Sequence, residues 1–231
     1  MRKFTASILS TIILLSLTIV PLSIAVAGMP QLMIVEWIVD QSEARVIAYA
    51  IPPSDDGSTN PHYQLLSYTR NTAANYWINT ANKYGFTSTA VVSVIRASAN
   101  AWDAATSKQV FSYQSTTTRA SGKYDGYNVV SFGSYNARAI AVTYIWASGS
   151  RIVETDMRLN THFKWSLSGE AGKMNVQNIA THEFGHWFGL ADLYNDVDAY
   201  LTMYGYGAYG ETYKQTLGLG DINGVIAVYG P

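Results

Sequence analysis

"THEFGHWFGLAD", Thr181 to Asp192, is the stretch on which the reading of this chain turns. The chain has 231 residues and four histidines, and two of those, His182 and His186, stand four apart with Glu183 directly after the first. They lie inside "MNVQNIATHEFGHWFGL", Met174 to Leu190, which reads as a long helix with Asn175 as its cap and Gly189 as its stop. On a helix, positions i and i+4 sit one above the other, about 6 Å apart, so both imidazoles can aim at one point. Two nitrogens about 2.0–2.1 Å from a common centre make half of a tetrahedral zinc site. Glu183 lies about 100° around the helix from His182, flanking the same face, in reach of a water at the metal without being a ligand. Random placement of four His and six Glu would give H-E-x-x-H about 0.002 times in a chain of this length, so two ordinary core histidines are a poor account of it.

A catalytic zinc keeps three protein ligands and one open position. The chain contains no cysteine, so a zinc site must be built from histidine and carboxylate. Gly189, three residues after His186, tolerates the left-handed turn that redirects the chain, and Asp192 follows three residues later. The full pattern is H-E-x-x-H-x-x-G-x-x-D, with His182, His186 and Asp192 as metal ligands and Glu183 as the catalytic residue.

This pattern resembles the metzincin zinc sequence, usually H-E-x-x-H-x-x-G-x-x-H. "YLTMYGYG", Tyr200 to Gly207, puts Met203 eleven residues after Asp192, where family members carry a methionine turn beneath the metal. "IVETDMRLNTHFKW", "NVQNIATHEFGHWFGL" and "LGDINGVIAVYGP" are similar to segments of the matrixin branch, and the resemblance runs from about Tyr68 to Pro231. The departure is Asp192 in place of the third histidine, a feature in which the chain is similar to snapalysin-like metzincins. The resemblance implies a zinc-dependent endopeptidase of α+β fold: a twisted mixed sheet packed on two long helices, a zinc helix, a Met-turn and a C-terminal helix. It further implies that an edge strand, here "AIAVTYIW" (Ala139 to Trp146), holds a protein or peptide substrate in extended form, and that Tyr204 and Tyr206 wall the pocket beyond the scissile bond. A carboxylate ligand lowers the charge at the metal by one, which weakens it as a Lewis acid. The expected activity optimum is therefore at or above neutral pH.

The rest of the chain fits this frame. "STAVVSVIRASANAWDAAT", Ser88 to Thr106, spaces Val91, Ile95, Ala99 and Trp102 as a helix would, with Ser88 as cap. "ANYWIN", "VFSYQ", "YNVVSFG", "AIAVTYIW" and "RIVETDMRLN" read as strands, and a short helix closes the chain from about Asp221. Arg2 and Lys3, the apolar run Ile8 to Ala27 and its Ala-Val-Ala end read as a secretory signal over residues 1–27, and hence as a secreted protein; the run is also long enough to anchor the chain in a membrane if uncleaved. Residues 28–61 read as an N-terminal extension, with β-prone runs at Leu32–Val39 and Arg45–Ile51 and loop chemistry at Ile51–His62. Residues 62–231 form the catalytic domain. Net charge is −1 with no basic stripe, which gives no footprint for nucleic acid.

Further expectations concern latency, other metals and rival functions. With no cysteine, a propeptide thiol on the zinc is ruled out. Glu36, Asp40, Glu43, Asp55 or Asp56 of the extension is a weaker candidate for a carboxylate plug. Calcium occurs in the family, yet no stretch matches an oxygen-rich loop. His62 and His162 have no companion ligands nearby in sequence and read as ordinary surface or core residues. Glu211 is the only glutamate downstream of the motif and so the rival third ligand. The rival function is a secreted binding or surface protein that keeps the shape without catalysis, for which Glu183 would be superfluous.

Overall fold

The computed structural model describes residues 30–39 and 59–231. The expected signal segment, the Arg45–Ile51 run, most of the loop after it, and Asp40, Glu43, Asp55 and Asp56 lie outside the described residues.

Among the described residues, nine strands and three α-helices follow one another as β1 (Gln31–Val39), β2 (Ala74–Asn79), α1 (Ser88–Asp103), β3 (Phe111–Thr116), β4 (Asn128–Gly133), β5 (Ala139–Ser148), β6 (Arg151–Asn160), β7 (Trp165–Ser166), β8 (Met174–Asn175), α2 (Val176–Phe188), β9 (Tyr206–Gly207) and α3 (Leu219–Tyr229). Seven strands form a mixed sheet in the order β3-β2-β4-β6-β5-β1-β9, and β7 and β8 pair separately. β3, β2, β4 and β6 run parallel to one another, while β5 runs antiparallel to β6. This is the expected α+β fold with a mixed sheet.

The helices form because their apolar residues recur at helical spacing and bury one face: Val91, Ile95, Ala99 and Trp102 of α1 are all buried. The cap of α1 is Thr87 and not Ser88; its hydroxyl accepts from the amide of Ala90 at 3.2 Å, while Ser88 Oγ faces Thr80 Oγ1. The two residues are adjacent and equally good caps by chemistry, so backbone geometry made the choice. α2 has the expected Asn175 cap and Gly189 stop. Trp102 is completely buried, and its indole donates to the carbonyl of Thr181 at 2.8 Å, which ties α1 to the turn of α2 that carries His182.

The sheet departs from expectation at one edge. β5 is not a free edge strand. β1, from the N-terminal extension, pairs with it antiparallel from Gln31↔Ala147 to Ile38↔Ala139, and then runs parallel to β9. Thus part of the extension completes the sheet of the domain that follows it. Among the described residues, no helix is long and apolar enough to cross a membrane.

Candidate metal centre

Three groups converge at the end of α2. The Nε2 atoms of His182 and His186 lie 3.1 Å apart. Asp192 Oδ1 lies 3.1 Å from the first and 3.5 Å from the second. Both histidines are fully buried. His182 Nδ1 is 2.7 Å from the carbonyl of Thr202, and His186 Nδ1 is 2.8 Å from that of Leu190. A carbonyl only accepts, so each Nδ1 carries the hydrogen and each neutral ring turns the lone pair of Nε2 inward. Two lone pairs and a carboxylate oxygen then face one another with no hydrogen to share. Such a set repels itself unless a cation sits among its members. The spacings agree with this, since ligands about 2.0–2.1 Å from a tetrahedral zinc stand about 3.3 Å from each other. These three residues are the one group among the described residues whose ligating atoms gather as a metal requires.

Each of the three groups is positioned by the chain around it. Gly189 ends α2 at φ 111°, the left-handed turn that swings Asp192 back toward the histidines. A Cβ there would also lie 2.4 Å from the carbonyl of Tyr68, because the segment at 64–70 bonds along the end of the helix. Gly189→Ala should therefore cost about 2 kcal/mol or more of stability and lower zinc stoichiometry in the folded fraction, readable by denaturation and elemental analysis. Leu193 bonds the Met203 segment in both directions, which fixes the Asp192 loop to the methionine turn.

Met203 packs beneath the metal set: a Cβ at Gly185, between the two histidines, would lie 2.2 Å from its sulfur. Asp221, in the first turn of α3, accepts from the amides of Thr202, Met203 and Gly218 at 2.8–3.1 Å. The closing helix thus holds the methionine turn in place, and the turn in turn orients His182.

Glu183 is fully buried, and its Oε2 accepts from Thr143 Oγ1 of β5 at 2.5 Å, while Oε1 has no partner. Burial lifts this carboxyl well above the ordinary range, the Thr143 hydrogen bond offsets part of the rise, and Asp192 adds to it. Thr143 has no motif that singles it out and was visible only in the fold.

The other expected or rival residues sort as follows. Glu211 lies apart from the three converging groups: its carboxylate meets Lys214 Nζ at 3.1 Å, Asn178 Nδ2 at 2.9 Å and the amide of Ala208. Glu36 is not a plug on the metal; it accepts from Tyr135 and Asn136. His62 pairs with Asp198 at 2.9 Å, and His162 packs against Phe163. Tyr204 is buried and Tyr206 lies in β9, whereas the unforeseen Tyr194 donates to Asp192 Oδ2 at 3.3 Å.

One contact to the site comes from outside the domain as read in the sequence. The Trp37 ring of β1 stacks on His182, with centroids 3.9 Å apart and planes 12° from parallel.

Comparison with known proteins gives one family. The peptidase family described as matrixin matches residues 67–230. No curated protein matches the chain.

Proposed function

The chain belongs to the matrixin family, a family of metallopeptidases, and from that membership we propose that it is a secreted zinc-dependent endopeptidase, with His182, His186 and Asp192 holding the zinc and Glu183 acting as general base and then acid. The observation that carries this reading is the meeting of three lone-pair donors beside a buried carboxylate whose Oε1 has no partner. Zinc held there would polarise the carbonyl of a bound peptide and acidify water beside it.

The chain's own residues supply the rest. Oε1 of Glu183 takes the proton from the attacking water and passes it to the leaving amine. Thr143 fixes the other oxygen, so the carboxylate keeps one orientation through both transfers. Met203 and Asp221 hold the turn that orients His182. A protein that only bound partners would have no use for a buried glutamate in this position, since the burial of a carboxylate costs stability.

The test is metal removal. Purified protein should contain zinc and cleave casein or a quenched peptide library. Chelation should abolish cleavage and added zinc restore it. The rate should be highest at or above neutral pH and fall with acid, because protons compete with the metal for the histidines and the aspartate. Cleavage that survives chelation, or a profile peaking at about pH 5, would count against this assignment.

A further inference from the structure

We propose that the cavity at the heads of β2, β4 and β6 is a binding site for a small oxyanion, a carboxylate or a phosphate, gripped by the guanidinium of Arg70 with Arg151 at the rim. None of the residues that line it belongs to the metal set, so the site needs neither zinc nor the peptidase assignment.

β2, β4 and β6 are parallel, so their N-terminal ends lie on one side of the sheet. A cavity of about 380 Å³ opens there, with Thr69, Arg70, Asn71, Thr72, Asn75 and Arg151 in its wall. At about 30 Å³ for each water molecule it has room for an inorganic oxyanion or a small organic acid. The wall carries two arginines and no carboxylate. Its charge is therefore positive, and it has amide and hydroxyl groups to complete the coordination of an anion.

Arg70 is only 6% exposed, and a guanidinium so deeply placed ordinarily meets a carboxylate through two short parallel bonds. Here it does not. Nη1 donates to Thr155 Oγ1 and Nη2 to Asn128 Oδ1, both at 3.3 Å. Both acceptors are neutral, and Asn128 Oδ1 already accepts from the amide of Thr155 at 2.7 Å and from its hydroxyl at 3.2 Å. Most of the donors of Arg70 are thus left for a ligand. The charged groups around it are committed elsewhere. Glu154 is buried nearby, but its two oxygens accept from the amides of Asp125 and Gly126 at 2.9 and 2.5 Å. Asp125 pairs with Arg119, and the Tyr229 hydroxyl donates to the carbonyl of Thr72. Burial lowers the Arg70 guanidinium to about 10, with Tyr229 and Glu154 opposing the fall, so it is a cation at neutral pH. Arg151 is exposed at the start of β6. An oxyanion has the lone pairs to take two parallel bonds from the Arg70 fork, whereas a halide is a single point. The amide of Arg70 bonds the carbonyl of Phe188, and Thr69 bonds Ser150 and Ile152, so a ligand held there would brace the junction of this segment with α2 and β6.

The experiment uses the full chain, as wild type, Arg70→Lys and Arg151→Ala, with folding checked by circular dichroism. Lysine keeps the charge of Arg70 without its fork. Arg151 is exposed, so its removal leaves the core intact and decides the matter if the lysine variant does not fold. Each protein is titrated calorimetrically with sodium phosphate, acetate and succinate at one ionic strength, with chloride as the reference anion. Wild type should bind at least one of the three saturably and one to one. Arg70→Lys should bind it about tenfold more weakly, and Arg151→Ala about threefold more weakly. The same anion should raise the thermal midpoint of wild type, chloride should not, and the rise should vanish in Arg70→Lys. Tighter binding of phosphate identifies a phosphate ligand, and tighter binding of acetate or succinate identifies an organic acid; either supports the site. A bound zinc would offer oxyanions a second place, so the titration is repeated after chelation, where binding should persist. Absence of saturable binding, equal binding by wild type and the folded variants, or binding lost on chelation would overturn the proposal.

Discussion

Glu183→Gln should lower the rate of peptide cleavage by a factor of about 10²–10⁴ while the protein keeps its zinc, both measured in one otherwise unchanged background. The substitution preserves shape and leaves an amide that cannot take a proton. In the fold, Glu183 Oε2 is already committed to Thr143, and Oε1 is buried without a partner. Burial raises the carboxyl's affinity for a proton, which suits a group that must both accept one and give it up. Because the three atoms proposed to bind the metal belong to other residues, elemental analysis should find the zinc content unaltered. A variant that cleaves within threefold of wild type would remove Glu183 from the chemistry.

The second large effect separates two carboxylates. Asp192→Ala should weaken zinc binding by more than about 100-fold, the upper end of what loss of an outer partner costs, since here a ligand itself is removed. Glu211→Gln should leave zinc binding within a few-fold of wild type in the folded protein. Instead it should destabilise the fold by up to about 3 kcal/mol, because it leaves the buried Lys214 ammonium without its counter-charge. Zinc titration and chemical denaturation of both variants give a crossed result: one loses metal, the other stability. If Glu211→Gln lost zinc and Asp192→Ala kept it, the ligand set would have to be redrawn around the later glutamate.

The convergence of His182, His186 and Asp192 could be read from the chain because it is nearly local. His182, Glu183, His186, Gly189 and Asp192 span eleven residues, and helical periodicity plus one left-handed turn suffices to bring them together. Met203 was placed only by resemblance, and its packing under Gly185 gives that placement a physical reason. The helix cap at Thr87 fell one residue from Ser88, since neighbouring hydroxyls offer the same chemistry. Thr143 was hidden because a threonine in a strand reads as β-propensity, and nothing local tells that its hydroxyl reaches a glutamate forty residues on. The buried Lys214–Glu211 pair, which Asn178 of α2 also bonds, was hidden for a similar reason: charged residues in an irregular stretch read as solvated until packing encloses them.

By itself, then, the sequence determined the class of fold, the helix that presents the two imidazoles, and the turn that returns the aspartate to them. Short-range backbone geometry dictates all three. The tertiary structure alone decided what lies over that site. Strands recognise one another through main-chain hydrogen bonds that carry almost no residue code, so QLMIVEWIV could have joined any open edge. That it joined β5, about a hundred residues away, and thereby set Trp37 against His182, follows from where the folded sheet left an edge and a ring-sized space beside it.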